Sequence, residues 1–134
     1  MSVRDAYSYA VLRLTSVKRV ILENDLAFRM KIPSPDECRD LADKYGLTSG
    51  RVLGVNLRTL DEDTNRAVVD YVAGLIRDFM KRGFTRVVFI PFGFGSFADR
   101  FFDDDLIIAR GLRGKVGDLI IISEELNPRQ VLCL

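Results

Sequence analysis

The sequence predicts an α/β fold, a three-layer, Rossmann-like arrangement built on a parallel sheet. Three short apolar runs predict the strands, at residues 52–57, 86–91 and 118–122. Helical segments lie between them, so strand and helix alternate along the chain. Continuous apolar strands joined by helices are typical of right-handed βαβ units and a parallel sheet. We expect the strand at 86–91 to lie between the other two.

Helix signals follow each strand. An apolar stripe runs through residues 63–82, and Gly83 is placed to end that helix. Another helix is predicted to begin in residues 103–110. Asn127-Pro128 is typical of an N-cap followed by a first helical turn. The predicted order is therefore β-α-β-α-β, followed by the start of a further helix.

The region before the first of these strands carries its own signals. Residues 5–14 are predicted to form a short helix with an apolar face, and residues 19–22 a brief strand. Ser34, Pro35 and Glu37 form a capping box at the start of a second helix. The apolar face of the first helix comprises Tyr7, Ala10, Val11 and Leu14.

The change of pattern near residue 46 predicts a domain boundary. The segment of residues 44–50 is the best internal joint, and it separates an N-terminal piece from the βαβαβ unit. A chain that begins with a lone helix and strand and ends one turn into a helix is predicted to be a fragment. Such a fragment is expected to expose apolar surface and to self-associate.

Composition and charge argue against nucleic-acid binding and against a membrane span. The formal net charge is only +1, so the sequence has no basic excess for binding a nucleic-acid backbone. The apolar runs are too short to span a bilayer, and no signal peptide opens the chain, which favours a cytoplasmic location. Cys38 and Cys133 have no metal-ligand spacing, so we expect reduced thiols, with Cys38 on the apolar face of its helix.

Three stretches of the chain carry motifs of one known family, in its order and with its rough spacing. Together they resemble the polysaccharide pyruvyl transferases across nearly the whole chain, although Leu26 stands where that family commonly has proline. The stretches are Val3-Arg4-Asp5 with Ser8 and then Asn24-Asp25-Leu26-Ala27-Phe28; Leu53-Gly54-Val55-Asn56-Leu57-Arg58; and Val88-Phe89-Ile90-Pro91-Phe92 with Asp104-Asp105.

This resemblance implies transfer of a pyruvyl group from phosphoenolpyruvate to a sugar hydroxyl of a cell-surface glycan, as a ketal. It also implies a two-domain, GT-B-like architecture with the active site between the domains. Residues 1–46 would then be the tail of a preceding α/β domain, and residues 47–134 the opening βαβαβ half of a Rossmann-like domain. Without histidine or a third acidic ligand in the sequence, we expect no metal, and we expect no cofactor. Family members continue into an Arg-His motif tied to catalysis, whereas this sequence contains no histidine. The catalytic residues therefore stay unidentified, and we expect the 134-residue chain alone to be inactive.

Arg58 is the strongest candidate for binding the donor. It directly follows a predicted strand, and ligands of open parallel sheets bind beyond the carboxyl ends of the strands. The planar guanidinium suits the phosphate and carboxylate of phosphoenolpyruvate. The alternative is a surface arginine paired with Asp61 or Glu62.

The loop after the second strand is a candidate anion cradle. Gly93, Gly95 and Ser96 lie there, and glycines let backbone N–H groups approach an anion. The alternative is a flexible turn, because a lone Gly-x-Gly is a weak signal.

Four further side chains are candidate substrate contacts. Asp104 and Asp105 open a helix, where they either contact the acceptor sugar or a cation, or only cap the helix. Arg4 and Ser8 are predicted to lie one turn apart on the first helix, where they either face the cleft together or serve capping and solvation.

Two other functions stay open beside the transferase. One is a non-catalytic binding or assembly module that kept the fold. The other is a fragment of a nucleotide-sugar glycosyltransferase, which fold analogy alone favours. Binding of a nucleotide-sugar instead of phosphoenolpyruvate would favour the last.

Overall fold

A computed structural model of the protein describes residues 1–95 and 104–134. The chain divides into two compact units, Met1–Ile32 and Pro33–Leu134. The helix at residues 35–44, which we assigned to the preceding domain, therefore lies in the second unit. The family domain boundary after residue 46 stays a prediction.

The first unit contains a small parallel sheet. Strand β1 (Ser2–Val3) pairs with β2 (Ile21–Leu22), and helix α1 (Ala6–Arg13) connects them. Both α1 and β2 were predicted, within two residues of the observed limits. Strand β1 was not, because a strand of two residues is too short to show a periodic pattern. A 3-10 helix, Leu26–Arg29, follows β2.

The apolar face of α1 is exposed. Tyr7 and Leu14 keep 80% and 90% of their surface accessible, and Val11 is also exposed. The helical spacing was therefore predicted correctly, but within the first unit this face does not pack into a core. Large apolar surface is unusual on stable monomers, so self-association stays a prediction for this protein.

The second unit is built on a three-stranded parallel sheet. Its strands β3 (Val52–Val55), β4 (Arg86–Phe89) and β5 (Leu119–Ile121) lie in the order β3-β4-β5. The register pairs Val55 with Phe89 and Phe89 with Ile121. The parallel sheet with β4 at its centre is thus confirmed.

Two helices cover one face of this sheet. Helix α3 (Glu62–Lys81) and helix α4 (Asp105–Val116) pack against each other and against β4. The predicted limits of α3 are correct within one residue. The core residues are Val69, Ala73, Ile76, Val87, Phe89, Ile108, Ala109, Leu112 and Leu119.

Strand β3 is less buried than its apolar sequence suggested. We expected a strand covered on both faces, whereas Val52, Leu53 and Val55 are only half-buried and Gly54 is exposed. The reason is position, because β3 is an outer strand of this sheet and β4 is the central one. An apolar run alone does not distinguish the two positions.

Two capped helices complete the second unit. Helix α2 (Pro35–Lys44) begins with the predicted capping box between Ser34 and Glu37. Helix α5 (Pro128–Val131) begins at the predicted N-cap Asn127. At α5 the N-cap Asn127 and Gln130 form a second capping box. The two boxes provide partners for backbone N–H groups that the start of a helix otherwise leaves without any.

The expectation of reduced thiols is wrong. Cys38 and Cys133 form a disulfide, with their Cα atoms 5.0 Å apart, and it joins α2 to the segment that follows α5. Cys38 is half-buried, and α2 contains no fully buried residue. Spacing could not reveal the pair, because 95 positions separate the two cysteines.

No helix in the two described ranges is both long enough and apolar enough to cross a bilayer.

The packing predicts that Phe89→Ala destabilises the chain strongly. Phe89 is fully buried between the sheet and its helices, so truncation leaves a cavity. We expect a loss of about 3–5 kcal/mol in the free energy of unfolding, measured by urea denaturation. Tyr71→Ala is the control, since Tyr71 is an exposed aromatic residue on α3. Similar losses for the two variants would contradict this core.

Candidate functional site

The carboxyl edge of the second unit's sheet gathers most of the predicted site residues. Arg58 lies beyond the end of β3, and Gly93 and Gly95 lie beyond the end of β4. Asp104 and Asp105 stand at the start of α4. Ser96 lies outside the described residues. This edge is where ligands of open parallel sheets bind.

A buried carboxylate organises this edge. Asp105 is only 1% exposed. One of its oxygens accepts the backbone N–H of Thr59 at 3.1 Å. The other accepts the N–H groups of Phe92 at 3.1 Å and Gly93 at 2.8 Å. Asp105 thereby ties the loop after β3 and the loop after β4 to the first turn of α4.

Backbone contacts reinforce the same junction. The Thr59 hydroxyl donates to the Asp104 carbonyl at 2.6 Å, and the Asp105 N–H donates to the Gly93 carbonyl at 2.9 Å. Thr59 is itself fully buried. The loops thus donate hydrogen bonds to the start of α4, and α4 donates one back to the loop after β4. Among the described residues, no buried side-chain polar atom is left without a partner.

Two asparagines extend this network, and the sequence analysis missed both. Asn56 donates from Nδ2 to the Ile90 carbonyl at 2.6 Å. This side-chain bond links the ends of β3 and β4 in addition to the backbone pairing of the two strands. Asn65 exchanges two hydrogen bonds with the backbone of Leu60, at 2.8 and 2.9 Å. A polar residue within an apolar run was the available signal for Asn56, and Asn65 gave none.

The glycine loop binds an anion that belongs to the chain itself. The N–H groups of Phe92 and Gly93 are directed at Asp105, as a backbone cradle for an anion would be. Gly95 has a φ of +58°, and a Cβ there would lie 2.8 Å from the Cβ of Asp104. This close approach explains the glycine without a ligand.

The paired aspartates have separate roles. Asp104 caps α4, since its Oδ1 accepts the Leu106 N–H at 3.0 Å. Asp105 is buried beside it and faces the two loops. Within the described ranges, no group of three or more His, Cys, Asp or Glu residues is arranged to hold a metal ion.

Arg58 lies on the accessible side of this junction. It is exposed, and the residue that follows it, Thr59, is anchored by Asp105. Asp61 and Glu62, the two acids considered beside it, also make contacts within α3 and at its cap. Asp61 caps α3 by accepting the Thr64 N–H at 2.9 Å, and Glu62 pairs with Arg66 at 3.5 Å. The hydrogen bonds from Thr64 hold the pKa of Asp61 below its usual value.

The first unit brings Arg4 and Ser8 together around a cavity of about 490 Å³ at the ends of β1 and β2. Arg4 precedes the N-cap of α1, so its predicted place on the helix is wrong. The cavity is lined by Ser2, Val3, Arg4, Asp5, Ser8, Asn24 and Asp25.

Arg4, the one cationic side chain among the described residues that line this cavity, is paired with Asp25. Arg4 donates to Asp25 at 2.7 Å, which raises the pKa of Arg4. A hydrogen bond from the Ala27 N–H, together with Arg4, holds the pKa of Asp25 below its usual value. The cap and ion pair at Asp25 therefore persist until the pH falls through that lowered pKa.

Ser8 donates its hydroxyl to Asp5 at 2.8 Å, in addition to the cap at its backbone N–H. The cavity thus offers one guanidinium against the two carboxylates of Asp5 and Asp25, beside two serine hydroxyls and an amide. Such a mixed lining suits a neutral, hydroxyl-rich ligand better than an anion.

Comparison with known proteins finds no relative of this chain. No family model matches it, and neither a curated protein nor a solved structure matches it significantly. The resemblance to polysaccharide pyruvyl transferases therefore stays a prediction, and function has to be inferred from the residues and their geometry.

The junction predicts unequal effects of the same substitution at neighbouring positions. Asp105→Asn replaces one acceptor oxygen by an amide, so at least one buried N–H loses its partner. We expect a loss of about 1–3 kcal/mol in the free energy of unfolding. Asp104→Asn keeps a good helix cap and is the matched control, expected within about 0.5 kcal/mol of the parent. Denaturant unfolding of both variants measures this, and equal effects would contradict the assigned roles.

Proposed function

We propose that the chain is part of a polysaccharide pyruvyl transferase, which moves a pyruvyl group from phosphoenolpyruvate to a sugar hydroxyl as a ketal. The motif resemblance supports this proposal. So does one observation in particular: Arg58 is exposed at the carboxyl edge of the sheet, directly before a residue whose backbone is anchored by Asp105.

Donor binding is assigned to Arg58. Phosphoenolpyruvate carries a phosphate and a carboxylate, and both match the planar fork of a guanidinium. The fixed backbone at Thr59 favours this role, because it limits where the arginine can reach before the donor arrives. Asp105 and Gly93 then act as positioning residues that shape the loops, without touching the donor.

Acceptor binding is assigned to the cavity of the first unit. Arg4 and Ser8 line it together with carboxylates and an amide, which are the groups that hydrogen-bond sugar hydroxyls. The proposal keeps the two-domain, GT-B-like architecture that the resemblance implies. Because the family's histidine is absent from this sequence, we expect donor binding but no turnover by the chain alone.

We also propose a cytoplasmic location. Cytosolic disulfides are usually transient, catalytic or redox-sensing, except in hyperthermophiles. The proposed location therefore requires that the bond between Cys38 and Cys133 can form and break.

A non-catalytic module of the same fold is the second candidate. The observation that favours it is that Asp105, and not a ligand, binds the N–H groups of Thr59, Phe92 and Gly93. A nucleotide-sugar glycosyltransferase fragment is the third, on fold analogy alone. Binding measurements separate the three candidates. The transferase should bind phosphoenolpyruvate, the non-catalytic module should bind neither ligand, and the glycosyltransferase fragment should bind a nucleotide-sugar.

The assignment predicts that Arg58→Lys weakens binding of phosphoenolpyruvate about ten- to a hundredfold. Lysine keeps the charge but loses the two-pronged hydrogen bonding, and a hydrogen bond to a charged group contributes about 1.5–3 kcal/mol. Isothermal titration calorimetry measures the affinity, and thermal melting checks that the fold is unchanged.

The matched control for this test is Arg66→Lys, an exposed arginine on α3 that pairs with Glu62. It should leave the affinity unchanged. If the parent chain binds no phosphoenolpyruvate at millimolar concentration, or if Arg58→Lys binds it as well as the parent does, the proposed function is wrong.

A further inference from the structure

The last turn of the chain is held in place by few non-covalent contacts. Neither α2 nor α5 contains a fully buried residue, so no closed apolar core joins the two helices. Helix α5 has only four residues, and a helix that short is not stable by itself in water. Something else must keep α5 ordered.

Ion pairs between the two segments are exposed. Arg129 of α5 pairs with Glu37 of α2 at 2.6 Å, with side chains 47% and 52% accessible. Lys44 pairs with Glu124 at 2.7 Å, and the Tyr45 hydroxyl also donates to Glu124. Exposed ion pairs contribute little to stability because water and salt screen them. The covalent bond between Cys38 and Cys133 is therefore the main attachment of α5.

Small reagents can reach this bond. Both cysteines are half-buried, neither being in the closed core. Cys133 also lines an open cavity of about 440 Å³ between α2 and the segment after β5, together with Leu41, Lys44 and Glu124. Thiol–disulfide exchange requires a thiolate to approach one sulfur along the line of the bond, and such a cavity gives it room.

We propose that the Cys38–Cys133 disulfide is a redox switch that attaches α5 to α2. A dithiol attacks one sulfur, and its second thiol then resolves the mixed disulfide. The S–S bond breaks, each cysteine leaves as a thiol, and the dithiol is oxidised to its own disulfide. Reduction frees residues 123–134 from α2, while the sheet and its two covering helices keep their core. This inference does not rest on the proposed function.

Hydrogen exchange of the full chain, with and without dithiothreitol, tests the switch. In the oxidised chain the N–H groups of Val131 and Leu132 are hydrogen-bonded within the last turn. On reduction their exchange should accelerate by roughly tenfold or more, since a free four-residue helix gives little protection. The amides of β4 should keep their protection, and reoxidation should restore that of the last turn.

Two variants sharpen this test. The double variant Cys38→Ser with Cys133→Ser should exchange like the reduced chain and should not respond to dithiothreitol. Arg129→Gln, which removes the exposed ion pair but leaves the disulfide, should stay close to the oxidised parent. Thiol titration of the air-oxidised chain should find no free cysteine.

Three outcomes would overturn the proposal. The first is equal protection of the last turn in the oxidised and reduced chains. The second is loss of protection in β4 together with the last turn, which would make the bond a staple for the whole unit. The third is two titratable thiols in the air-oxidised chain.

Discussion

The buried carboxylate of Asp105 is the constraint on which the arrangement of the sheet edge depends. A carboxylate removed from water costs several kcal/mol unless hydrogen bonds replace the water. Here three backbone N–H groups do so, from Thr59, Phe92 and Gly93. Each of these donors belongs to a loop that leaves the sheet. Satisfying one buried charge therefore fixes the paths of two loops and the start of α4 at once.

This constraint changes how the edge is understood as a binding site. A glycine loop at the end of a parallel strand favours a bound phosphate, but the nearest anion here is covalently part of the chain. The N–H groups of Phe92 and Gly93 already bind Asp105. Among the described residues of this edge, Arg58 is exposed beside the junction. An anion that binds at Arg58 is therefore recognised by a side chain and not by these two N–H groups.

Local patterns predicted much of the fold, because the relevant interactions are themselves local. The capping box at Ser34 and the stripe of α3 connect residues that are close along the chain. The strand order followed from the short βαβ crossovers. The burial of β3 was mispredicted because an apolar run does not show whether a strand is central or at an edge. The two-residue strand β1 was too short to leave a pattern.

The site was predicted less well, since its main contacts join distant residues. Asp105 and Thr59 are 46 positions apart, and nothing in the local sequence distinguishes Asp105 from its neighbour Asp104. The same limit applies to the disulfide, whose cysteines looked like two isolated thiols. The sequence pointed to the edge where Arg58, Gly93 and Asp105 lie, but it could not show that Asp105 binds the two loops of its own chain.

Residue-resolved amide exchange by NMR, on the parent chain and on Asp105→Asn, tests the central claim most directly. If one carboxylate holds both loops, the amides of Thr59 and Gly93 are protected in the parent. At least one of them should then exchange about tenfold faster or more in the variant, while the amides of β4 stay protected. Unchanged protection at both Thr59 and Gly93 would show that the loops are held by something other than Asp105, and would contradict this account of the site.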